Sequence, residues 1–167
     1  MNIHPKELNN HLKSLSNLYV IIGKEEVLVD EAISLITQAY IKDDISSAEI
    51  NNVWLDTKES FGELLTKTQS LPMFTTKSVI KAQYPKNSLD TYSTSILQSL
   101  IQSPPSYHLL IINAPNLNSK TFQKYFLSAE NAHLIHIQPF NNINAFSEYI
   151  RSMLQKECIK YHASIPN

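Results

Sequence analysis

The sequence predicts a three-layer α/β/α sandwich on a mainly parallel five-stranded sheet, followed by the start of a helical domain. Three observations predict it. Leu18-Tyr19-Val20-Ile21-Ile22 and His108-Leu109-Leu110-Ile111-Ile112 are nearly unbroken apolar runs, the pattern of strands buried on both faces rather than one. Segments of helical spacing alternate with strand-like segments along the chain, an order that joins parallel strands through helical crossovers. The 167 residues, 43% hydrophobic and 17% charged, suffice for one domain with its own core and the stub of a second.

The elements follow in order. Pro5 suits the first position of a short helix, and Leu8, Leu12 and Leu15 come after it at helical spacing. The first strand ends at Gly23. From Glu25 to about Ile41, Leu28, Ala32, Leu35 and Ala39 recur on one face beside Val27, Ile33 and Ile36. Glu25 and Glu26 lie against the positive end of that helix. Ala48 to Trp54 reads as a strand, and Glu59 to Gln69 as a helix with Phe61, Leu64 and Leu65 inward. Ser78-Val79-Ile80 centres a third strand, and Leu89 to Ile101 is helical, with Ile96, Leu97 and Leu100 inward. Pro104-Pro105 breaks the chain before the fourth strand, His108 to Ile112. Ser119 to Leu127 reads as a helix and Ala132 to Gln138 as the fifth strand.

After Pro139 the character changes. Asn141-Asn142-Ile143-Asn144 is a polar joint, and Phe146, Tyr149, Ile150, Met153 and Leu154 mark an amphipathic helix reaching about Tyr161. A lone helix is not a domain. Residues 1–140 are therefore expected to form the α/β domain, and 141–167 the first helix of a helical domain whose remainder lies beyond Asn167.

Composition excludes several function classes. The net charge of −1 carries no basic footprint for free-standing binding to DNA or RNA. The two glycines, Gly23 and Gly62, are far apart, whereas a phosphate-cradling loop needs glycines close together. One cysteine, Cys158, allows neither a disulfide framework nor a cysteine zinc site within the chain, and fits a reducing compartment. The start shows no signal-peptide pattern, and no apolar run approaches the roughly 18 residues of a membrane span. A soluble, cytoplasmic protein is expected.

Ligands of open α/β sheets sit at the carboxyl ends of the strands, so those ends are the first candidates. Ile22-Gly23-Lys24-Glu25 resembles the end of a phosphate-binding loop and departs from it twice. Leu18 stands where the motif needs its first glycine, and Glu25 stands where a hydroxyl would hold Mg²⁺. The third strand runs into Lys81-Ala82-Gln83-Tyr84 rather than acidic metal ligands, and the fourth ends at Asn113 without an acidic neighbour. The pattern is an NTPase-like sheet without its catalytic groups.

His133 and His136 are three apart on a strand and so point to opposite faces, unable to share a metal. His4 and His11 lie near a terminus, Cys158 has no histidine partner, and Asp43, Asp44 and Glu130 read as solvated. No catalytic residue, cofactor-binding residue or metal ligand is assigned.

One segment stands apart: Gln69-Ser70-Leu71-Pro72-Met73-Phe74-Thr75-Thr76-Lys77. It adds three large apolar residues after a helix already able to dock, and Pro72 stops that helix in a projecting turn. Leu, Met and Phe are residue types that fill a partner's hydrophobic pocket; the alternative is that Met73 and Phe74 tuck under the sheet.

Taken together, several weak motifs in one order carry a resemblance. They are Pro5-Lys6-Glu7-Leu8, the run from Leu18 through Gly23-Lys24-Glu25-Glu26 to Ala32, Ser70-Leu71-Pro72-Met73-Phe74, and Leu109-Leu110-Ile111-Ile112-Asn113. The chain resembles the delta subunit of the bacterial DNA polymerase III clamp loader, over its amino-terminal domain and the start of the next. The resemblance implies an AAA+ fold without working nucleotide motifs and without a cofactor, then a helical domain and a carboxy-terminal collar domain. It implies a component of the DNA polymerase III holoenzyme with no catalytic activity of its own. It further implies that Leu71, Met73 and Phe74 form a hydrophobic wedge that enters a pocket on the sliding clamp (the beta subunit) and favours an open ring. The other implied partners are the gamma/tau and delta prime subunits and, within the complex, primed DNA; no membrane is implied. Pro72 and Met73 depart mildly from the family pattern and keep its apolar character. Two other readings stay open: a small P-loop-like NTPase around Gly23-Lys24, and a structural scaffold subunit without clamp contact.

Overall fold

In the computed structural model, the described residues are 8, 12, 14–42, 48–72, 77–118, 120, 122, 132–138, 140 and 142–156. They form β1 (Leu18–Ile22), α1 (Glu26–Ile41), β2 (Glu49–Trp54), α2 (Lys58–Gln69), β3 (Ser78–Gln83), α3 (Thr91–Gln102), β4 (Leu109–Asn113), β5 (His133–His136) and α4 (Ile143–Lys156). All five strands are parallel, in the order β2-β3-β4-β1-β5. The α/β sandwich read from the sequence is the fold observed, with a sheet that is wholly parallel.

Strand order explains the apolar runs. β1 pairs with β4 on one side and β5 on the other, and all five of its residues are buried. Its side chains alternate between two cores. Leu18, Val20 and Ile22 join Phe61 and Leu64 of α2 and Ile96, Leu97 and Leu100 of α3. Tyr19 and Ile21 join Leu28, Ala32 and Ile36 of α1 and Tyr149 of α4 on the opposite face. β2 is an edge strand in which only Val53 is buried, and Trp54 stays 56% exposed. Its mixed sequence, Glu49-Ile50-Asn51-Asn52-Val53-Trp54, suits a place with one neighbour.

Several boundaries shift for local reasons. Asp90 caps α3 by accepting from the Ser93 N–H at 2.7 Å, so the helix begins at Thr91 rather than Leu89. Thr57 and Ser60 form a reciprocal capping box, which starts α2 one residue early. β5 is shorter than expected, although the Ile137 N–H still donates to the Ile22 carbonyl at 2.7 Å. The buried stripe of α1 is Leu28, Val29, Ala32, Ile36 and Ile41, with Leu35 and Ala39 partly buried and Val27 66% exposed. Apolar residues cover more than one face of this helix, so spacing did not determine which stripe meets the sheet.

Of the expected helix at 119–127, Lys120 and Phe122 are described and helical, with Phe122 in the α2/α3 core. Leu8 is helical and buried, and its carbonyl accepts from the Leu12 N–H at 3.0 Å. Pro5, His4, His11, Asp43, Asp44, Glu130, Cys158 and the stretch up to Tyr161 lie outside the described residues.

α4 docks on the α1 face. Tyr149 enters that core, and its hydroxyl donates to Glu31 Oε2 of α1 at 3.1 Å. Burial first, and the Glu31 charge second, push the Tyr149 phenol up to about 12. Tyr149→Phe is expected to cost about 1 kcal/mol at neutral pH through the lost hydrogen bond. Because the folded-state pKa is raised, the phenol's contribution is fully present below about pH 10, the value of an unfolded tyrosine, and is lost as pH rises towards 12. The stability advantage of the parent over the variant should therefore shrink across that window. Parallel denaturant titrations at pH 8 and pH 11 check it, and an advantage independent of pH contradicts it.

Candidate functional site

Among the described residues, the carboxyl ends of the strands open into two clefts on the α1 side. One, of about 380 Å³, lies where the loops after β1 and β4 meet, at the switch point where chain order reverses across the sheet. Gly23, Lys24, Glu26, Asp30, Gln83, Asn113 and Asn116 are among its lining residues. Gly23, Lys24, Gln83 and Asn113 from the strand ends are thus brought together in space, yet the lining sets the Glu26 and Asp30 carboxylates against the single Lys24 ammonium. It offers no serine or threonine.

Gly23 has a purpose of its own. Its φ is +156°, and a Cβ built there would lie 2.6 Å from both the Cβ and the carbonyl oxygen of Ile137. The glycine lets β1 pass close beside the end of β5, an approach that a side chain blocks. α1 then begins after Glu25, which makes no side-chain capping bond. Asn113 is held by its own neighbour: its Nδ2 donates to Gln83 Oε1 at 2.8 Å. Its Oδ1 is buried, with no hydrogen-bond partner among the described residues.

The second cleft, of about 430 Å³, sits over β2, β3 and β4 on the same face, where Trp54, Asn52, Lys81 and Ile33 line it. Among the described residues, no group of three or more His, Cys, Asp or Glu side chains could hold a metal ion. His133 stacks on Tyr19 with centroids 5.4 Å apart. Among the described residues no helix is long and apolar enough to cross a membrane.

The apolar segment after α2 is the remaining candidate. α2 stops at Gln69, and Ser70 turns the chain out of the helix with φ −72° and ψ 149°. That extended backbone takes the chain out of the helix just ahead of Leu71, the residue at which Pro72 disfavours helical conformation. Leu71 is 62% exposed. Met73 and Phe74 lie outside the described residues.

Both roots of the segment are held. At the first, the Ser70 N–H donates to Thr66 O at 3.1 Å and its hydroxyl to Lys67 O at 2.8 Å. At the second, the Lys77 carbonyl accepts from the Glu49 N–H at 3.0 Å, and the Lys77 ammonium sits 4.7 Å from the Tyr40 ring centroid. Between them stands His108, 4% exposed. Its Nε2 is 2.7 Å from the Ser70 carbonyl oxygen, and its Nδ1 is 2.8 Å from the Ser78 hydroxyl. A carbonyl only accepts, so Nε2 carries a proton, and in the neutral ring Nδ1 then accepts from the Ser78 hydroxyl. In sequence His108 reads only as the start of a strand, because its partners are 30 and 38 residues away.

Comparison with known proteins supplies the family. The family described as DNA polymerase III, delta subunit, matches residues 19–138, well over half of the chain. The chain belongs to this delta subunit family.

A DNA polymerase III subunit delta of Haemophilus influenzae is 27% identical over 101 residues, which cover 60% of this chain and 27% of that protein. Among solved structures, the Bacillus subtilis DNA clamp loader delta protein superposes with a TM-score of 0.63 at 16% identity, over 92% of this chain and 48% of that one. A gamma subunit-related protein of Thermotoga maritima matches with a TM-score of 0.52 at 9% identity, over 91% of this chain and 52% of its own. RuvB of Thermotoga maritima, in a point-variant form, matches with a TM-score of 0.52 at 13% identity, over 93% and 50% respectively. At these identities the structures establish the AAA+-like fold, shared by the delta family and by RuvB. The chain spans about a quarter of the H. influenzae protein and about half of the B. subtilis chain.

Proposed function

We propose that this chain is the clamp-binding part of a clamp-loader subunit in DNA replication, and that Leu71, Met73 and Phe74 form the wedge that binds the sliding clamp and opens its ring. The observation that carries the reading is the exposed Leu71 at 62%, on a segment whose two roots are both hydrogen-bonded to the fold. Membership in the delta family supports it. Fixing the two ends of a segment lowers the ordering cost of binding through it.

The chemistry required is binding, not catalysis. A closed ring is held by its own interfaces, and a wrench helps only by binding the open form more tightly than the closed one. Each 1.4 kcal/mol of that difference shifts opening by about tenfold. No nucleotide is consumed in this step, in keeping with a switch-point cleft whose Glu26 and Asp30 oppose phosphate. On this reading the chain has no catalytic activity of its own and works in the cytoplasm as a component of the DNA polymerase III holoenzyme. The gamma/tau and delta prime subunits are its companions, and primed DNA is reached through the complex. Residues 1–140 form the AAA+-like domain, and 141–167 open a helical domain whose first helix docks on α1 through Tyr149.

Titration of the full-length protein with its cognate sliding clamp tests the proposal, with the Met73→Ala/Phe74→Ala variant beside it. Saturable binding lost in the variant is expected. A folded protein that does not bind the clamp overturns the proposal and favours a scaffold subunit. Micromolar ATP binding lost on Lys24→Ala would instead favour the NTPase reading.

A further inference from the structure

We infer that His108 is the positioning residue of the clamp-binding segment, one imidazole bridging the residue where the chain leaves α2 and the residue where it enters β3. The inference rests on the wedge assignment proposed above and extends it to a residue that no partner can touch.

The geometry is specific. His108 opens the approach to β4, which pairs with β3, so its ring is mounted on the central sheet rather than on the segment. From there Nε2–H donates to Ser70 O at 2.7 Å, and Nδ1 accepts from the Ser78 hydroxyl at 2.8 Å. Both ring nitrogens are used, and Ser70 and Ser78 are the outer limits of the segment that contains Leu71. The Ser70 carbonyl is one of the acceptors that a helix end leaves without an intrahelical donor. His108 supplies that donor from a buried place where water does not compete. The ring, at 4% exposure, cannot contact a clamp, so any effect on clamp binding must pass through the path of the segment. Tethering both ends to one rigid group lowers the ordering cost of binding. A buried imidazole needs partners for both ring nitrogens wherever it sits; what marks His108 is that those partners are the two ends of one segment.

His108→Ala, His108→Gln and Ser78→Ala, each made in the full-length protein, test the inference by amide hydrogen exchange and by titration with the sliding clamp. A glutamine amide carries a donor and an acceptor at a spacing close to that of the two ring nitrogens, so it can restore both bonds. The expected result for His108→Ala is faster exchange confined to the amides at 70–78, with clamp affinity about tenfold weaker. His108→Gln should recover most of both, and Ser78→Ala should give a smaller loss of the same kind. Faster exchange spread evenly through β3 and β4, with no recovery in His108→Gln, overturns the inference in favour of simple core packing. Unchanged exchange at 70–78 overturns it directly. If His108→Ala does not fold, Ser78→Ala and His108→Gln still decide.

The two proposals fail separately. Clamp binding that survives Met73→Ala/Phe74→Ala removes the wedge, while the exchange data still judge His108. Clamp binding lost in that variant but kept at parental strength in His108→Ala removes the role of His108 alone.

Discussion

Truncating Met73 and Phe74 to alanine is expected to weaken binding to the sliding clamp by about a hundredfold while leaving thermal stability nearly unchanged. Full burial of each side chain in a partner's pocket contributes roughly 1.5–3 kcal/mol, and a hundredfold in affinity corresponds to about 2.7 kcal/mol. Two anchors together contribute roughly 3–6 kcal/mol, and with ordering costs of about 0.5–1.5 kcal/mol per side chain subtracted that range spans the hundredfold figure. Stability is the discriminating readout. If the two side chains were part of the fold's own core, each truncation would cost about 2–5 kcal/mol of folding stability. Wedge residues should instead leave it within about 0.5 kcal/mol. A variant that melts early and binds the clamp in proportion to its folded fraction would falsify the wedge and return Met73 and Phe74 to the underside of the sheet. Leu71→Ala should weaken clamp binding in the same direction, and because its side chain is largely in water in the free protein it should leave folding stability within about 0.5 kcal/mol of the parent.

Gly23→Ala should destabilise the fold by on the order of 3 kcal/mol. The backbone at +156° disfavours an L side chain, and the new Cβ would stand 2.6 Å from the Ile137 Cβ and carbonyl oxygen. Backbone cannot swing aside as a flexible side-chain tip can, so β1 and the end of β5 must separate. For a chain of 167 residues the loss corresponds to a fall of roughly 6–12 °C in Tm. Lys24→Ala, by contrast, alters an exposed side chain and should stay within about 0.5 kcal/mol of the parent. A phosphate loop predicts the opposite order of importance, with Lys24 decisive for ligand binding. Thermal unfolding of the two variants, with and without ATP, separates the cases. An undisturbed Gly23→Ala would show that Ile137 yields more easily than its hydrogen bond to Ile22 implies.

The strands and helices were legible because burial leaves a period in the sequence. β1 and β4 are apolar at consecutive positions because each is covered on both faces, and α2 and α3 bury the Phe61, Leu64, Ile96, Leu97 and Leu100 that their spacing singled out. The failed phosphate loop was equally legible, since Leu18 and Glu25 occupy the positions where glycine and a hydroxyl are needed. The buried face of α1 was less so. Its apolar residues wrap beyond one stripe, and only the sheet beneath selects Val29 and Ile36 over Val27. Helix starts at Thr91 and Lys58 depended on caps whose hydrogen bonds sharpen what propensity leaves blurred.

The sequence by itself determined the layered α/β class, the departure of Leu18 and Glu25 from the nucleotide motif, and the presence of an apolar Leu71-Pro72-Met73-Phe74 stretch after α2. Each of these is a property of residues close together along the chain, where period, spacing and a misplaced side chain carry the information. The tertiary structure decided the strand order β2-β3-β4-β1-β5, which leaves β2 at an edge. It also decided the meaning of Gly23, which faces Ile137 rather than a phosphate, and the bridge from His108 to Ser70 and Ser78. Those features join residues tens of positions apart, and such pairs meet only after the sheet has assembled, so no local pattern in the chain records them.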